Sequence, residues 1–234
     1  IVFHPQLSAF QMAACRLGWS LADTETLTVH GRPAEQAIPF IQPGARLLIL
    51  TTGEDTPARI ATFLAERGYG TSPMTVLANM GGPEELRFDG TAESWDHAVP
   101  AFNTLAVDSI AGPDALLAAR VPGLDDALFR SDGKMTKREV RAATLARLMP
   151  VRGALLWDVG AGCGSVAIEW MRAAPDARAI GIEPREDRRA MAAENALALG
   201  TPRLDLRGGR APEALEGLAT PQAVFIGGGL SEAL

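Results

Sequence analysis

Cysteine is scarce in this chain. Cys15 and Cys163 are its whole complement across 234 residues, and neither sits in a C-x-x-C pair. That spacing excludes a disulfide framework and a cysteine-based metal centre. Histidine is equally thin: His4, His30 and His97 show no H-E-x-x-H or other ligand spacing, so packing or surface roles are expected for them and no metal. No apolar run approaches the ~20 residues of a membrane-spanning helix, and no charged segment precedes an apolar one at the start, so no membrane partner is expected. Positive charge is in deficit, with 22 Lys and Arg against 28 Asp and Glu, a net charge of -6 and a pI near 5.2. A general nucleic-acid binder would carry the opposite balance, so no nucleic-acid partner is expected either. These absences together predict a reduced, cytoplasmic protein.

A hydrophobic content of 47% is enough for a real core, and the length accommodates two domains of moderate size. The chain opens on Ile1 in apolar sequence and stops at Leu234 soon after a strand-like run. Truncation at both ends is the expectation.

The most informative stretch is Leu155 to Trp170, LLWDVGAGCGSVAIEW. Leu155, Leu156, Trp157 and Val159 suit a buried strand, while Val166, Ala167, Ile168, Trp170 and Met171 give the following segment a broad apolar helical face. Between them Gly160, Gly162 and Gly164 remove side chains where the backbone must turn and lie close to a ligand. The dinucleotide fingerprint G-x-G-x-x-G requires its third glycine where Ser165 stands. Asp158, at the strand end, would repel a pyrophosphate but suits an ammonium group. A second strand, ARAIGIE, ends in Glu183, placed to accept hydrogen bonds from ribose hydroxyls, although nicotinamide enzymes use an acid there too.

The G-x-G-x-G loop preceded by Asp158 resembles motif I of the class I S-adenosylmethionine-dependent methyltransferases. That resemblance implies S-adenosyl-L-methionine as cofactor, held by Asp158, by the loop residues Gly160, Ala161, Gly162, Cys163 and Gly164, and by Glu183. Upstream, Thr136-Lys137-Arg138-Glu139 has the spacing of a helix capping box, with Val140, Leu145 and Leu148 following on one face. The longer run GKMTKREVRA, 133 to 142, resembles cobalamin-pathway methyltransferases that methylate C-15 and decarboxylate an acetate side chain. In that family a threonine at this position contacts the methyl donor, which brings in Thr136. After a helix over about 186–199 and a short strand over 204–207, Ala211 occupies the loop that in the family lies against adenine. A fourth strand over 223–227 opens onto Gly227-Gly228-Gly229, where relatives place the reacting atoms. Lys134, Lys137, Arg138 and Arg141 form a local basic cluster suited to a polycarboxylate substrate, with a solvated helix face as the equal alternative.

The first half reads as alternating helices and strands: a helix over 8–17 between Ser8 and Gly18, strands near 26–30, 46–51, 74–78 and 103–110, and helices near 34–41 and from Thr56-Pro57 to Gly68. The polar stretch from Glu84 to Pro100 predicts an antiparallel excursion. SAFQMAACRLGW, HGRP, LTTGEDTPARIATFLAERGYG and NMGGPEELRF, taken in order, resemble the C-terminal half of a tetrapyrrole methylase domain. Individual residues here, including His30 and Arg32, carry ordinary packing readings.

The fold class expected is therefore α/β in two domains. Residues 1–112 form part of a tetrapyrrole methylase domain, 113–121 a linker, and 122–234 part of a Rossmann-like class I methyltransferase with a parallel sheet. The resemblance implies a methyltransferase that acts on a tetrapyrrole precorrin at C-5 and C-15 with decarboxylation, as a homo-oligomer, and it names no catalytic residue. A nicotinamide-dependent oxidoreductase and a non-catalytic fragment are the alternatives.

Overall fold

A computed structural model describes residues 2–227. The chain divides into two compact units, 1–117 and 118–234, at a boundary inside the 113–121 stretch.

In the first unit, α1 (Ala9–Leu17) starts at a capping box: the Ser8 hydroxyl accepts the Gln11 N–H and the Gln11 side chain accepts the Ser8 N–H. Gly18, left-handed at φ 68°, ends it. Five strands, β1 (Glu25–Thr28), β2 (Arg46–Leu50), β3 (Pro73–Ala78), β4 (Leu86–Thr91) and β5 (Asn103–Asp108), form a sheet in the order β1-β2-β5-β3-β4. β5 runs antiparallel to both its neighbours, and β4 is the antiparallel excursion. Side-chain alternation divides the buried strand β2 between two layers. Leu47 and Ile49 join the cluster around α2 (Thr56–Glu66), and Leu48 meets Ala13 and Ala14 of α1. Residues 34–40 wind as a 3-10 helix with Pro39 inside the segment, where in an α-helix the proline ring would clash with the carbonyl of Glu35. The end of the unit is tied down: Leu116 N–H donates to Arg67 C=O, and a side chain at Gly68 would meet Ala115 Cα at 2.8 Å.

The second unit contains α3 (Arg138–Leu148), β6 (Leu155–Val159), α4 (Ser165–Ala173), β7 (Arg178–Ile182), α5 (Glu186–Ala198), β8 (Asp205–Arg207) and β9 (Ala223–Ile226). Its sheet is parallel, in the order β8-β7-β6-β9. Leu156 and Ala179 pack under α4 with Trp170, while Leu155, Ile180 and Ile182 face the opposite layer. Strand order reverses at β6, whose neighbours are β7 on one side and β9 on the other. Such a switch point opens a crevice at the carboxyl ends of the strands.

One local expectation is overturned. Helix α3 begins one residue later than a Thr136 cap requires, with Lys137 at the N-cap and no side-chain cap bond. The reason lies in the next turn, where the Arg141 guanidinium takes the Thr136 carbonyl at 2.6 Å and draws that peptide out of helical register. Val140, expected on the buried face, is exposed, while Leu145 is fully buried.

Candidate functional site

The crevice at the switch point is a cleft of about 410 Å³ in the second unit. Its floor is the turn from β6 into α4. Gly160, Gly162 and Gly164 have φ of 78°, 55° and 80°, the left-handed region that other residues enter only with strain. Gly160 and Ala161 N–H both donate to the Ile182 carbonyl, which fastens the loop to β7. Thr136, Asp158, Gly160, Ala161, Gly162 and Cys163 all border the cleft. Its remaining wall includes Gly133, Lys134 and Met135 from the segment before α3, Arg188 from α5, and Phe225 and Gly227 beyond β6 on the β9 side.

Asp158 has an incomplete set of partners. It is 1% exposed; Oδ2 accepts the Ala167 N–H at 3.1 Å in the first turn of α4, and Oδ1 is buried with no partner. Burial pushes its carboxyl up to about 7, opposed by the Ala167 hydrogen bond and reinforced by the negative charge of Glu183. A buried acceptor without a donor is costly, so this oxygen fits a site for a cationic hydrogen-bond donor.

Glu183 directly follows β7 and is buried. Its Oε2 accepts the Gly162 N–H at 3.0 Å and its Oε1 the Arg185 N–H at 3.1 Å. It therefore braces the glycine loop, and it does not itself border the cleft. Each oxygen retains a further lone-pair direction. Gly164 meets α5 closely, since a side chain there would lie 3.1 Å from Ala192 Cβ. Burial raises the Cys163 thiol above its usual range. Ala211 lies in an exposed loop beyond β8, outside the cleft wall.

The basic cluster separates into unlike members. Arg141, expected to face a substrate, is 0% exposed. Its Nε–H donates to Glu169 at 2.5 Å, Nη1 to Asp126 at 3.0 Å and to Thr136 C=O, and Nη2 to Leu124 C=O at 2.5 Å. Phe129 covers the guanidinium with its ring 4.8 Å away. So enclosed, Arg141 cannot reach a substrate carboxylate and holds internal structure instead. Lys137 and Arg138 are exposed, pair with Asp126 and Asp125 at 3.7 and 3.8 Å, and lie outside the cleft wall. The cations that border the cleft are Lys134 and Arg188. Arg188 is not legible in the sequence, because only the fold brings the first turn of α5 to this rim.

Gly228 and Gly229 lie outside the described residues. In the first unit, a separate cavity of about 410 Å³ is bordered by His30, Arg32, Thr51, Asn79, Phe102 and Asn103, among others.

Comparison with known proteins places both halves. Residues 127–234 match the precorrin methyltransferase domain, and residues 1–96 match the tetrapyrrole (corrin/porphyrin) methylases. The chain is 44% identical over 193 residues to a precorrin-6Y C(5,15)-methyltransferase [decarboxylating] of Sinorhizobium sp, covering 82% of this chain and 47% of that one. Over most of its length the chain is thus similar to precorrin methyltransferases. A Mycobacterium tuberculosis (strain ATCC 25618 / H37Rv) precorrin methyltransferase of the same name is 38% identical over 196 residues, covering 82% of this chain and 48% of its own. Among solved structures, the C-terminal domain of precorrin-6Y C5,15-methyltransferase from Rhodobacter capsulatus is 50% identical over 50% of this chain and 63% of that one, with a TM-score of 0.47. The chain spans about half the length of the curated relatives it matches. The two curated relatives lend no support to a nicotinamide-dependent oxidoreductase.

Proposed function

We propose that the second unit binds S-adenosylmethionine in the glycine-loop cleft and serves the C-15 methylation and decarboxylation of a precorrin. The first unit would contribute to methylation at C-5, so that both units would serve one tetrapyrrole substrate; a cytoplasmic setting and a homo-oligomer belong to the same proposal. The observation that carries the reading is the unpartnered Asp158 Oδ1 on the cleft floor, a buried acceptor that an ammonium group would satisfy.

The sulfonium of that cofactor supplies an electrophilic methyl group. The protein's share is placement, since in-line displacement is governed by how the reacting groups are held. Asp158 would take the ammonium, and the positive-φ glycines would let backbone lie against the ligand without intervening Cβ atoms. Glu183, bracing Gly162, has spare lone pairs for ribose hydroxyls. Thr136, half-buried at the rim, would offer its hydroxyl, while Lys134 and Arg188 would meet carboxylates of donor or substrate. Ala211 stays a candidate for the adenine side only if its exposed loop folds inward over the ligand. Lys137 and Arg138, outside the cleft, would act only on substrate groups that extend beyond it.

Titration calorimetry of this chain with S-adenosylhomocysteine, beside NAD, tests the reading. Saturable binding of the former alone is expected. NAD binding, or no binding of either, would overturn it.

A further inference from the structure

Residues 130–136 form a strap along the cleft, with Gly133, Lys134, Met135 and Thr136 in its wall. A single stripe of α5 holds the start and middle of this strap. Arg188, Ala192 and Asn195 follow the i, i+4, i+7 spacing that puts side chains on one helix face. Arg188 donates Nε–H and Nη2–H to Asp132 of the strap at 2.9 and 2.6 Å. Ala192 abuts Gly164 of the glycine loop. Asn195, 3% exposed, makes three bonds of 2.9 Å: its Oδ1 accepts the Arg130 N–H, and its Nδ2 donates to the carbonyls of Arg130 and Cys163. One amide thus joins the start of the strap to the glycine loop. A carboxylate could accept from Arg130 but could not donate to either carbonyl, so the position calls for a neutral group with both functions.

We propose that Asn195 is a positioning residue, and that the α5 stripe sets the spacing between the strap and the glycine loop, and hence the width of the donor cleft. The proposal rests on the reading of the cleft as a methyl-donor site. Asn195 touches neither the cleft nor a ligand there. It acts through Cys163 on the floor and through Arg130 on the strap. The far end of the strap is held independently, by Arg141 on the Thr136 carbonyl. Loss of Asn195 therefore loosens one end of the strap, leaving there only the exposed Arg130–Glu194 pair, while the other end stays anchored.

The test is Asn195→Ala in the full chain, with S-adenosylhomocysteine binding measured well below the melting temperature. As a control, Ile180→Ala removes a buried side chain from the far face of the sheet, outside the strap and the loop. The expected result is a dissociation constant raised about tenfold or more in Asn195→Ala but unchanged in Ile180→Ala at similar loss of melting temperature. Hydrogen exchange should quicken across 130–136 in the first variant only. Asp132→Ala removes the exposed pin without touching the core, and is expected to weaken binding about threefold even if Asn195→Ala fails to fold. Wild-type affinity in whichever of these two variants folds, or equal weakening in the Ile180 control, overturns the proposal. A wild-type chain that fails to bind S-adenosylhomocysteine overturns the reading of the cleft itself, and the proposal with it.

Discussion

Glu183 holds the Gly162 amide: the carboxylate at the end of β7 accepts the N–H of the central glycine of the β6–α4 turn at 3.0 Å. The acid is therefore a structural member of the loop before any ligand arrives. Its replacement has two separable consequences. Glu183→Ala strips partners from the Gly162 and Arg185 N–H groups and loosens the loop; Glu183→Gln keeps a carbonyl oxygen for Gly162 but loses the charge. A hydrogen bond to a charged group contributes about 1.5–3 kcal/mol. Glu183→Gln is expected to weaken S-adenosylhomocysteine binding by roughly tenfold, at about 1.4 kcal/mol per decade. Glu183→Ala should weaken it further and lower the melting temperature as well. Calorimetry and thermal denaturation of both variants check this, and wild-type affinity in Glu183→Gln would remove the acid from donor recognition.

Asp158 makes donor binding depend on pH. With its carboxyl raised to about 7, the ligand-free cleft floor is largely neutral at pH 5.5 and ionised above pH 7. An ammonium-bearing ligand prefers the ionised form, so affinity should rise by roughly tenfold from pH 5.5 to 7.5 with release of a proton. Asp158→Asn should flatten that profile at low affinity. Calorimetry in buffers of different ionisation enthalpy reads the proton directly.

The same group has a consequence for stability, with the opposite sign from an ordinary ion-paired carboxylate. Its folded value of about 7 lies above the reference value of 3.8, so the folded chain binds more protons than the unfolded one between those pH values. The contribution of Asp158 to stability is fully present below about pH 4 and is lost as pH rises through about 7. Ligand-free Asp158→Asn should therefore gain melting temperature relative to wild type at pH 8 and gain little at pH 5. Thermal denaturation at the two pH values decides, and a loss at pH 8 would count against the raised carboxyl.

Arg141 serves the fold. Removing it leaves Glu169, 1% exposed, without its cation, and a broken buried pair costs about 3–5 kcal/mol. Glu169 would still accept the Gly123 and Leu124 N–H groups at 2.6 and 3.1 Å. Arg141→Ala should thus destabilise residues 118–234 strongly and leave residues 1–117 unaffected, as native-state hydrogen exchange would show. Unchanged protection in the second unit would contradict the burial of this network.

Gly162→Asp combines two faults. The position has φ 55°, and the added carboxylate would sit on the loop whose N–H already meets Glu183. Steric room is not the obstacle, since the nearest atom to a Cβ there is Lys134 O at 3.8 Å. S-adenosylhomocysteine binding should vanish in calorimetry while the first unit keeps its hydrogen-exchange protection. Retained binding would show that the loop does not approach the ligand.

Local sequence determined much of this protein. The strand, glycine turn and helix around Asp158, the acid after the second strand, the Ser8 and Gly18 helix ends and the division into two α/β halves all rest on interactions within a few residues or on simple periodicity. Tertiary structure decided the rest, because burial and partnership are properties of chain segments remote in sequence. Arg141 looks like its neighbours Lys137 and Arg138 in a basic run, yet Glu169, 28 residues away, draws it into the core. Once buried, the same guanidinium takes the Thr136 carbonyl and displaces the helix start that Thr136 and Glu139 spell out locally. Arg188 and Asn195 carry no motif; they matter because packing sets one face of α5 against both the glycine loop and the strap. A pattern of residue types records which groups are available, and only the folded chain determines which of them are removed from water and what they then must bind.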